Sequence, residues 1–194
     1  MPLTEVQIIS GALMKLGKKP ISALGQDDMS IAAQQQLEQV LPTRIAQNSW
    51  RFATRIVQLA QNVLPPPVSY WQYSYQLPGD FLKYIRQYPM NWAFELYNNS
   101  LMYSNLNGPI FMEYCYLPQI TALPDWFTQY LIWEVAAQLA LSNAQNAQYA
   151  PFCIAQRDIE LAKAMAADAQ NRPQTPLASS PIISNRFVGT WIGG

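Results

Sequence analysis

The sequence predicts a mainly α, α+β fold: a four-helix-type bundle with an inserted small antiparallel β domain and an extended C-terminal arm. Apolar residues recur at spacings of three and four in residues 1–54 and 118–171, which we assign to the bundle. Residues 55–117 instead alternate apolar and polar side chains, as strands do, and form the β-rich insertion. Residues 172–194 contain three prolines and no acid, so we expect an arm that cannot form a core alone.

Two helices are expected before the β insertion. Thr4 and Gln7 have the spacing of a capping box, and Gly17 followed by two lysines and a proline marks the end of the first helix. An acid pair and Ser30 introduce the second helix. Because proline lacks an amide hydrogen and clashes with the preceding turn, Pro42 is expected either to kink this helix or to open a new segment.

The alternating section predicts one small sheet of four or five strands. Alternation is clearest from Trp71 to Leu77, where every second residue is aromatic or aliphatic. The stretches "NNS" (98–100) and "NLNGP" (105–109) predict hairpin turns. The other predicted strands are Leu82–Tyr88, Ala93–Tyr97, Leu101–Tyr103 and Ile110–Leu117.

Two further helices follow the β insertion. Pro124 and Asp125 begin a helix that is apolar on almost every side, which predicts the central helix of the bundle. The last helix, about 148–170, carries an alanine-rich stripe at spacings of three and four, which we expect to pack within the bundle because small residues allow close helix approach. The stripe consists of Phe152, Ala155, Ile159, Ala162, Ala166 and Ala169.

The stretch "NSWRFATRIVQLAQ" (48–61) joins the second helix to the first strand. Trp50 and Phe52 are expected to anchor this helix-to-strand junction, while Arg51 and Arg55 are expected at its surface or at a subunit contact. The aromatic residues of the β section could also form a stacking platform for bases or sugars, but lysine and arginine are not interleaved with them.

Composition favours association through neutral surfaces. Lys plus Arg and Asp plus Glu number 12 each, so there is no basic excess for phosphate binding. The 20 glutamines and 11 asparagines outnumber the charged residues, and such a surface can pack against copies or partners without leaving buried charge unpaired. This balance favours an assembly subunit, and a compositional habit of the source lineage is the alternative.

Neither a signal peptide nor a membrane span is expected. Glu5 and Gln7 interrupt the first apolar residues, and the most apolar run, 130–142, is too short to cross a bilayer. Cys115 and Cys153 lie far apart without metal-ligand spacing, so we expect free thiols in a reducing cytoplasm and no metal site.

Several catalytic chemistries are excluded by residues that the chain lacks. It contains no histidine, which removes Ser-His-Asp and Cys-His nucleophilic catalysis. Neither G-x-G-x-x-G nor a P-loop occurs, so no cofactor is expected. A carboxylate pair acting in glycoside hydrolysis stays open, although no spacing selects two of the four candidates, Asp80, Glu95, Glu113 and Asp125.

Four short segments share a distinctive order and spacing. They are "ALMKLGKKPISAL" (12–24), "LPTRIAQNSWRFATR" (41–55), "YSYQLPGDFLKYIR" (73–86) and "LPDWFTQYLIWEVAAQLA" (123–140). In this order they resemble the head-to-tail adaptor family of short-tailed bacteriophages, the tail tubular protein A and tail accessory factor type. The resemblance covers most of residues 5–170, and the low charge and the apolar arm ending in "GTWIGG" depart from the family.

The resemblance implies a non-enzymatic structural protein of the virion tail or neck, assembled in the host cytoplasm. It implies a ring of about twelve copies that docks beneath the portal, continues the channel for genomic DNA without sequence-specific contact and carries the tail nozzle for DNA retention and ejection. The arm would reach the portal and the β insertion would face the next tail component. Expected portal or subunit contacts in the arm are Ile182, Ile183, Arg186, Phe187 and Trp191. The alternatives are a peptidoglycan hydrolase of the tail that uses paired carboxylates, and a nucleic-acid binder.

Overall fold

A computed structural model of the protein describes residues 3–67, 69–90, 92–142 and 144–171. Its helices are α1 (Glu5–Lys15), α2 (Asp28–Asn48), α3 (Asp125–Ser142) and α4 (Ala150–Gln170). Between α2 and α3 lie the strands β1 (Thr54–Gln58), β2 (Ala60–Gln61), β3 (Tyr73–Gln76), β4 (Phe81–Tyr88), β5 (Phe94–Tyr97), β6 (Leu101–Ser104) and β7 (Phe111–Tyr116). The predicted mixed fold, with four helices and small antiparallel sheets, is confirmed in the described part of the chain.

The first two helices begin at reciprocal side-chain caps. Thr4 accepts a hydrogen bond from the backbone amide of Gln7, whose side chain accepts from the amide of Thr4, which confirms the predicted capping box. Asp27 caps α2 in the same way with Ser30. α2 continues to Asn48 with Pro42 inside it, so of the two outcomes expected for Pro42, the opening of a new segment is wrong. 

The helices share one hydrophobic core. α3 contacts each of the other three helices, and its buried residues point in all directions around its axis. Fully buried side chains from α1, α2 and α3, such as Ile8, Leu37 and Phe127, belong to a single cluster. α3 therefore needs no polar face, which explains why the sequence is apolar around almost its whole circumference.

The strands form two antiparallel sheets, so the prediction of a single sheet is wrong. One sheet has the order β1-β7-β4 and the other has the order β2-β3-β6-β5. Asn98 and Asn99 both have positive φ angles of about 50° in the turn between β5 and β6, which confirms the "NNS" hairpin. The stretch "NLNGP" is not a hairpin, because β6 and β7 belong to different sheets.

Side chains from both sheets form a second hydrophobic cluster, which is separate from the helical core. Tyr75 and Met102 of one sheet pack with Met112 and Tyr114 of the other. The two clusters correspond to the helical and β-rich parts of the chain. Whether residues 55–117 form a domain of their own stays a prediction.

The orientation of α4 contradicts the sequence expectation. The stripe from Phe152 to Ala169, which we expected to pack within the bundle, is exposed along its whole length. The residues of α4 that face the core are instead Ala150, Cys153, Ala164 and Asp168, together with half-buried Ile154, Arg157 and Leu161. On this side of α4, Asp168 accepts from the amide of Arg51, and Arg157 lies 3.8 Å from Glu134 while it also donates to exposed Asp158 at 2.7 Å.

Candidate functional site

The helix-to-strand junction is held by a cluster of four aromatic rings. Ser49 adopts a left-handed conformation at the end of α2 and turns the chain, so that Trp50 enters the core with 1% of its surface exposed. Its ring centroid lies 5.2 Å from that of Phe127 and 5.7 Å from that of Trp126. Phe52 packs against the same two rings, and the indole nitrogen of Trp50 donates to the carbonyl of Arg44 at 3.0 Å.

Arg51 links the junction to α4 and to the sheet. Its backbone amide donates to Oδ1 of buried Asp168 at 3.0 Å, which ties the last turn of α4 to the short 3-10 helix Arg51–Ala53. Its guanidinium lies 3.8 Å from Glu113, whose carboxylate also accepts from Arg86 Nε at 2.6 Å. Glu113 is buried, and both arginine side chains are about half exposed. The two cations therefore compensate the negative charge of this buried carboxylate of β7.

Arg55 takes part in a second polar contact on the same side of the junction. Its guanidinium lies 3.0 Å from Asp80 Oδ2 and stacks on the ring of Tyr116 at 3.9 Å. Asp80 Oδ1 accepts a hydrogen bond from the buried hydroxyl of Tyr114 at 2.8 Å. Burial, reinforced by the negative charge of Asp80, raises the pKa of Tyr114 to about 12. 

A buried ionic network in the helical core was not anticipated from the sequence. Glu134 of α3 has no exposed surface, and Oε1 accepts from Arg44 Nη2 at 2.7 Å and from Gln138 Nε2 at 3.0 Å. Tyr130 donates to its Oε2 at 3.3 Å, and Arg157 approaches to 3.8 Å. The acid within the most apolar helix was the available signal. Its two cationic partners, Arg44 and Arg157, lie 90 residues before it and 23 residues after it in the chain.

The same network perturbs the ionisation of its members. Burial acts to lower the pKa of Arg44, but the hydrogen bond and the charge of Glu134 outweigh it, so the pKa is raised. Burial first, and then the negative charge of Glu134, also raise the pKa of the Tyr130 hydroxyl. These residues therefore join α2, α3 and α4 through hydrogen bonds and ion pairs.

Each of the four candidate carboxylates makes a structural contact or lies at the start of a helix. Asp80 and Glu113 are held in the ion pairs described above, and Glu95 accepts from the indole nitrogen of Trp71 at 2.9 Å. Asp125 lies in the first turn of α3, where its negative charge interacts favourably with the helix dipole. These contacts give each side chain a structural role, and the hydrolase alternative stays a prediction without an observation in its favour.

The β-rich part presents an exposed apolar loop that the sequence analysis did not single out. Val63 is 99% exposed and Leu64 is 78% exposed, and both precede three consecutive prolines. Where the loop passes the second sheet, the Ser74 hydroxyl donates to the Leu64 carbonyl, and the loop and Tyr103 line an open pocket of about 380 Å³. Isolated exposed apolar side chains are common, but two adjacent ones at a loop tip suit a contact with another protein.

The predicted arm contacts, Ile182, Ile183, Arg186, Phe187 and Trp191, lie outside the described residues. Within the described residues, no group of three or more Cys, Asp or Glu side chains is placed to hold a metal ion. Both cysteines are buried free thiols, and burial raises the pKa of each. In the same part of the chain, no helix combines the length and the apolar character needed to cross a membrane.

A scan of protein-family models finds none that matches this chain, and a search of curated proteins finds no significant match. The geometry of the junction and of the exposed surfaces is therefore the basis for the functional argument.

Proposed function

We propose that this protein is a structural subunit of a short-tailed bacteriophage, a head-to-tail adaptor that assembles as a ring beneath the portal. In this proposal the four helices act as a bundle in the ring wall, and the ring continues the DNA channel. The β-rich part carries the tail nozzle, and residues 172–194 form the arm that reaches the portal.

The observation that carries the proposal is the meeting of three family-like segments at one junction. Trp50 and Phe52, from the segment 41–55, pack against Trp126 and Phe127, from the segment 123–140. Arg55, also from 41–55, pairs with Asp80 of the segment 73–86. Short matches that arose by chance would have no reason to lie together, whereas segments that build a shared junction would.

The character of the surface also supports an assembly role. Amides outnumber charges in the sequence, and exposed apolar residues lie both on the loop at Val63 and Leu64 and on the outer face of α4. Contacts between copies bury such surface without leaving a charge unpaired. These features are those of a subunit whose surfaces are covered only in the assembled particle.

The proposal is tested by assembly on purified rings of the portal protein from the same virus. We expect the full chain to join the portal in a complex whose mass corresponds to a ring, and the chain that lacks residues 172–194 to lose this binding. Sedimentation velocity and negative-stain microscopy measure both. Failure of the full chain to bind would contradict the adaptor function, while undiminished binding by the shortened chain would contradict the role of the arm.

Two matched double variants test whether the aromatic side chains of the arm, and not only its presence, bind the portal. Phe187→Ser combined with Trp191→Ser removes the two aromatic anchors and should weaken portal binding at least tenfold, since buried aromatic side chains dominate most interfaces. Ser179→Ala combined with Ser180→Ala alters the same arm without removing an apolar anchor, and this control should bind as the unmodified protein does.

A further inference from the structure

The outer face of α4 carries a second apolar stripe that nothing in the described chain covers. Its six positions, Phe152, Ala155, Ile159, Ala162, Ala166 and Ala169, follow one another at spacings of three and four residues. All six are exposed, with 55% of Phe152 and 48% of Ile159 accessible. The ring of Phe152 also contacts Trp133 of α3, which extends the apolar surface beyond α4.

The pattern of this stripe fits a helix as its occupant. Alternating spacings of three and four residues place side chains along a straight seam between two helices. Four of the six residues are alanines, which allow another backbone to approach closely. The 17-residue separation between Phe152 and Ala169 corresponds to about 25 Å of helix, or nearly five turns.

The area of the stripe indicates a contact that is weak by itself. A seam about 25 Å long on a helix about 10 Å wide covers roughly 250 Å². A standard stable interface buries about 800 Å² on each partner, so this seam supplies about a third of what a lasting pair needs. Such a contact suits an assembly in which every copy makes the same contact. A template or further contacts between copies then supply the remaining binding free energy.

A groove elsewhere on the same chain can receive the stripe. It lies between the first turns of α2 and the last turn of α3 and has a volume of about 490 Å³. Its walls are Asp28, Met29, Ala32, Gln35, Gln36, Leu139 and Ser142. Ile31, which is 44% exposed, precedes Ala32 in α2. The groove and the stripe have no residue in common, as a head-to-tail contact between identical subunits requires. One charged residue, Asp28, lines the groove and is exposed at the start of α2, while the other lining side chains are small, amide or apolar, so most of the contact buries no charge.

We infer that the outer face of α4 is one half of a head-to-tail contact between neighbouring copies, and that the α2–α3 groove of the next copy is the other half. This inference rests on the proposed ring, because only a contact between two different surfaces continues from copy to copy and closes a ring. A contact between two α4 stripes would instead stop at a dimer.

Variants with one added surface cysteine test which surfaces meet. Ile159→Cys places a thiol on the stripe and Gln35→Cys places one in the groove, while Cys115 and Cys153 are buried and do not compete. After mild oxidation of the full chains at high concentration, we expect a cross-linked dimer in the equimolar mixture and little in either variant alone. Ile159→Cys mixed with Ala122→Cys, an exposed alanine of the 3-10 helix Ile120–Ala122, is the control.

The cross-linking outcomes are decisive in both directions. A dimer of Ile159→Cys alone would overturn the head-to-tail contact in favour of paired α4 stripes. A mixed dimer no stronger than the Ala122→Cys control would overturn the contact altogether. A mixed dimer from a protein that fails to bind the portal would uphold the contact and contradict the adaptor function.

A charge placed in the stripe tests the same contact during assembly. Ala162→Glu changes an exposed alanine, so the isolated chain should keep its fold, but burial of the new carboxylate against a neighbour is costly. We expect the concentration needed for ring formation on the portal to rise at least tenfold, while Ala122→Glu leaves it unchanged. If Ala162→Glu assembles on the portal as the unmodified protein does, the contact is wrong while the adaptor function stands.

Discussion

Replacing Arg44 by methionine should destabilise the protein more than replacing its partner Glu134 by glutamine. Glu134 has no exposed surface, whereas the Arg44 side chain is 26% exposed. Loss of the arginine leaves a carboxylate in the core without its nearest cation. Loss of the carboxylate leaves a guanidinium that can still reach water and can still donate to the amide oxygen. The asymmetry of burial therefore predicts the order of the two effects.

The remaining contacts of Glu134 determine how much each substitution lowers the free energy of unfolding. Breaking a buried ion pair by removing one partner costs about 3–5 kcal/mol. For Arg44→Met we expect about 3 kcal/mol, at the lower end, because Gln138 and Tyr130 still donate to the carboxylate and Arg157 lies 3.8 Å away. Glu134→Gln keeps the shape and part of the hydrogen bonding, so we expect about 1–2 kcal/mol. The double variant should cost less than the sum of the two, since the residues are in contact.

Urea unfolding followed by circular dichroism measures these differences in the free energy of unfolding. Lys163→Met is the matched control, because it removes a cation whose side chain is 64% exposed and whose partner, Glu160, lies at the surface of α4. We expect this control to change stability by less than about 0.5 kcal/mol. A larger cost for Glu134→Gln than for Arg44→Met would refute the reasoning from burial, as would strict additivity in the double variant.

Three further predictions concern the junction and the buried ionisable groups. Trp50→Ala should cost about 3–5 kcal/mol in urea unfolding, because it opens a cavity among aromatic rings. The pKa of Tyr114 is raised to about 12 in the folded protein, so the free energy of unfolding should fall as the pH rises above 10, by about 1 kcal/mol at pH 11. Tyr114→Phe should remove this part of the loss. Cys115 and Cys153 should react slowly with iodoacetamide in the native protein at pH 8 and rapidly in urea, since both are buried with raised pKa values.

Each of these predictions has a control within the chain. Trp92→Ala removes a tryptophan that is 46% exposed and should change stability by less than about 1 kcal/mol, so an equal cost at both sites would contradict the anchoring role of Trp50. Tyr70→Phe removes the hydroxyl of a tyrosine that is 70% exposed and is the matched control for Tyr114→Phe. Fast alkylation of the native thiols would contradict their burial.

The parts of the fold that the sequence could predict depend on neighbouring residues. The capping box of Thr4 and Gln7, and the turn at Asn98 and Asn99, are local signals, and both are present in the structure. The division of the strands into two sheets depends on which strands pair across long distances, and no local pattern encodes it. For the same reason, the acid in α3 was visible in the sequence while its partner Arg44 was not.

The orientation of α4 shows why apolar spacing alone could not identify the core face. The helix carries two stripes at spacings of three and four, so periodicity fits either orientation. Asp168 decides between them, because it accepts from the amide of Arg51 inside the protein, and Arg157 on the same face lies 3.8 Å from buried Glu134 while it also pairs with exposed Asp158. Turning the alanine stripe inward would separate both pairs, so that Glu134 would lose its contact with Arg157 and the amide of Arg51 would lose its acceptor. The exposed stripe is therefore compatible with the fold of one chain but is not required by it, and an apolar face without a role in folding is consistent with the contact between copies that we propose.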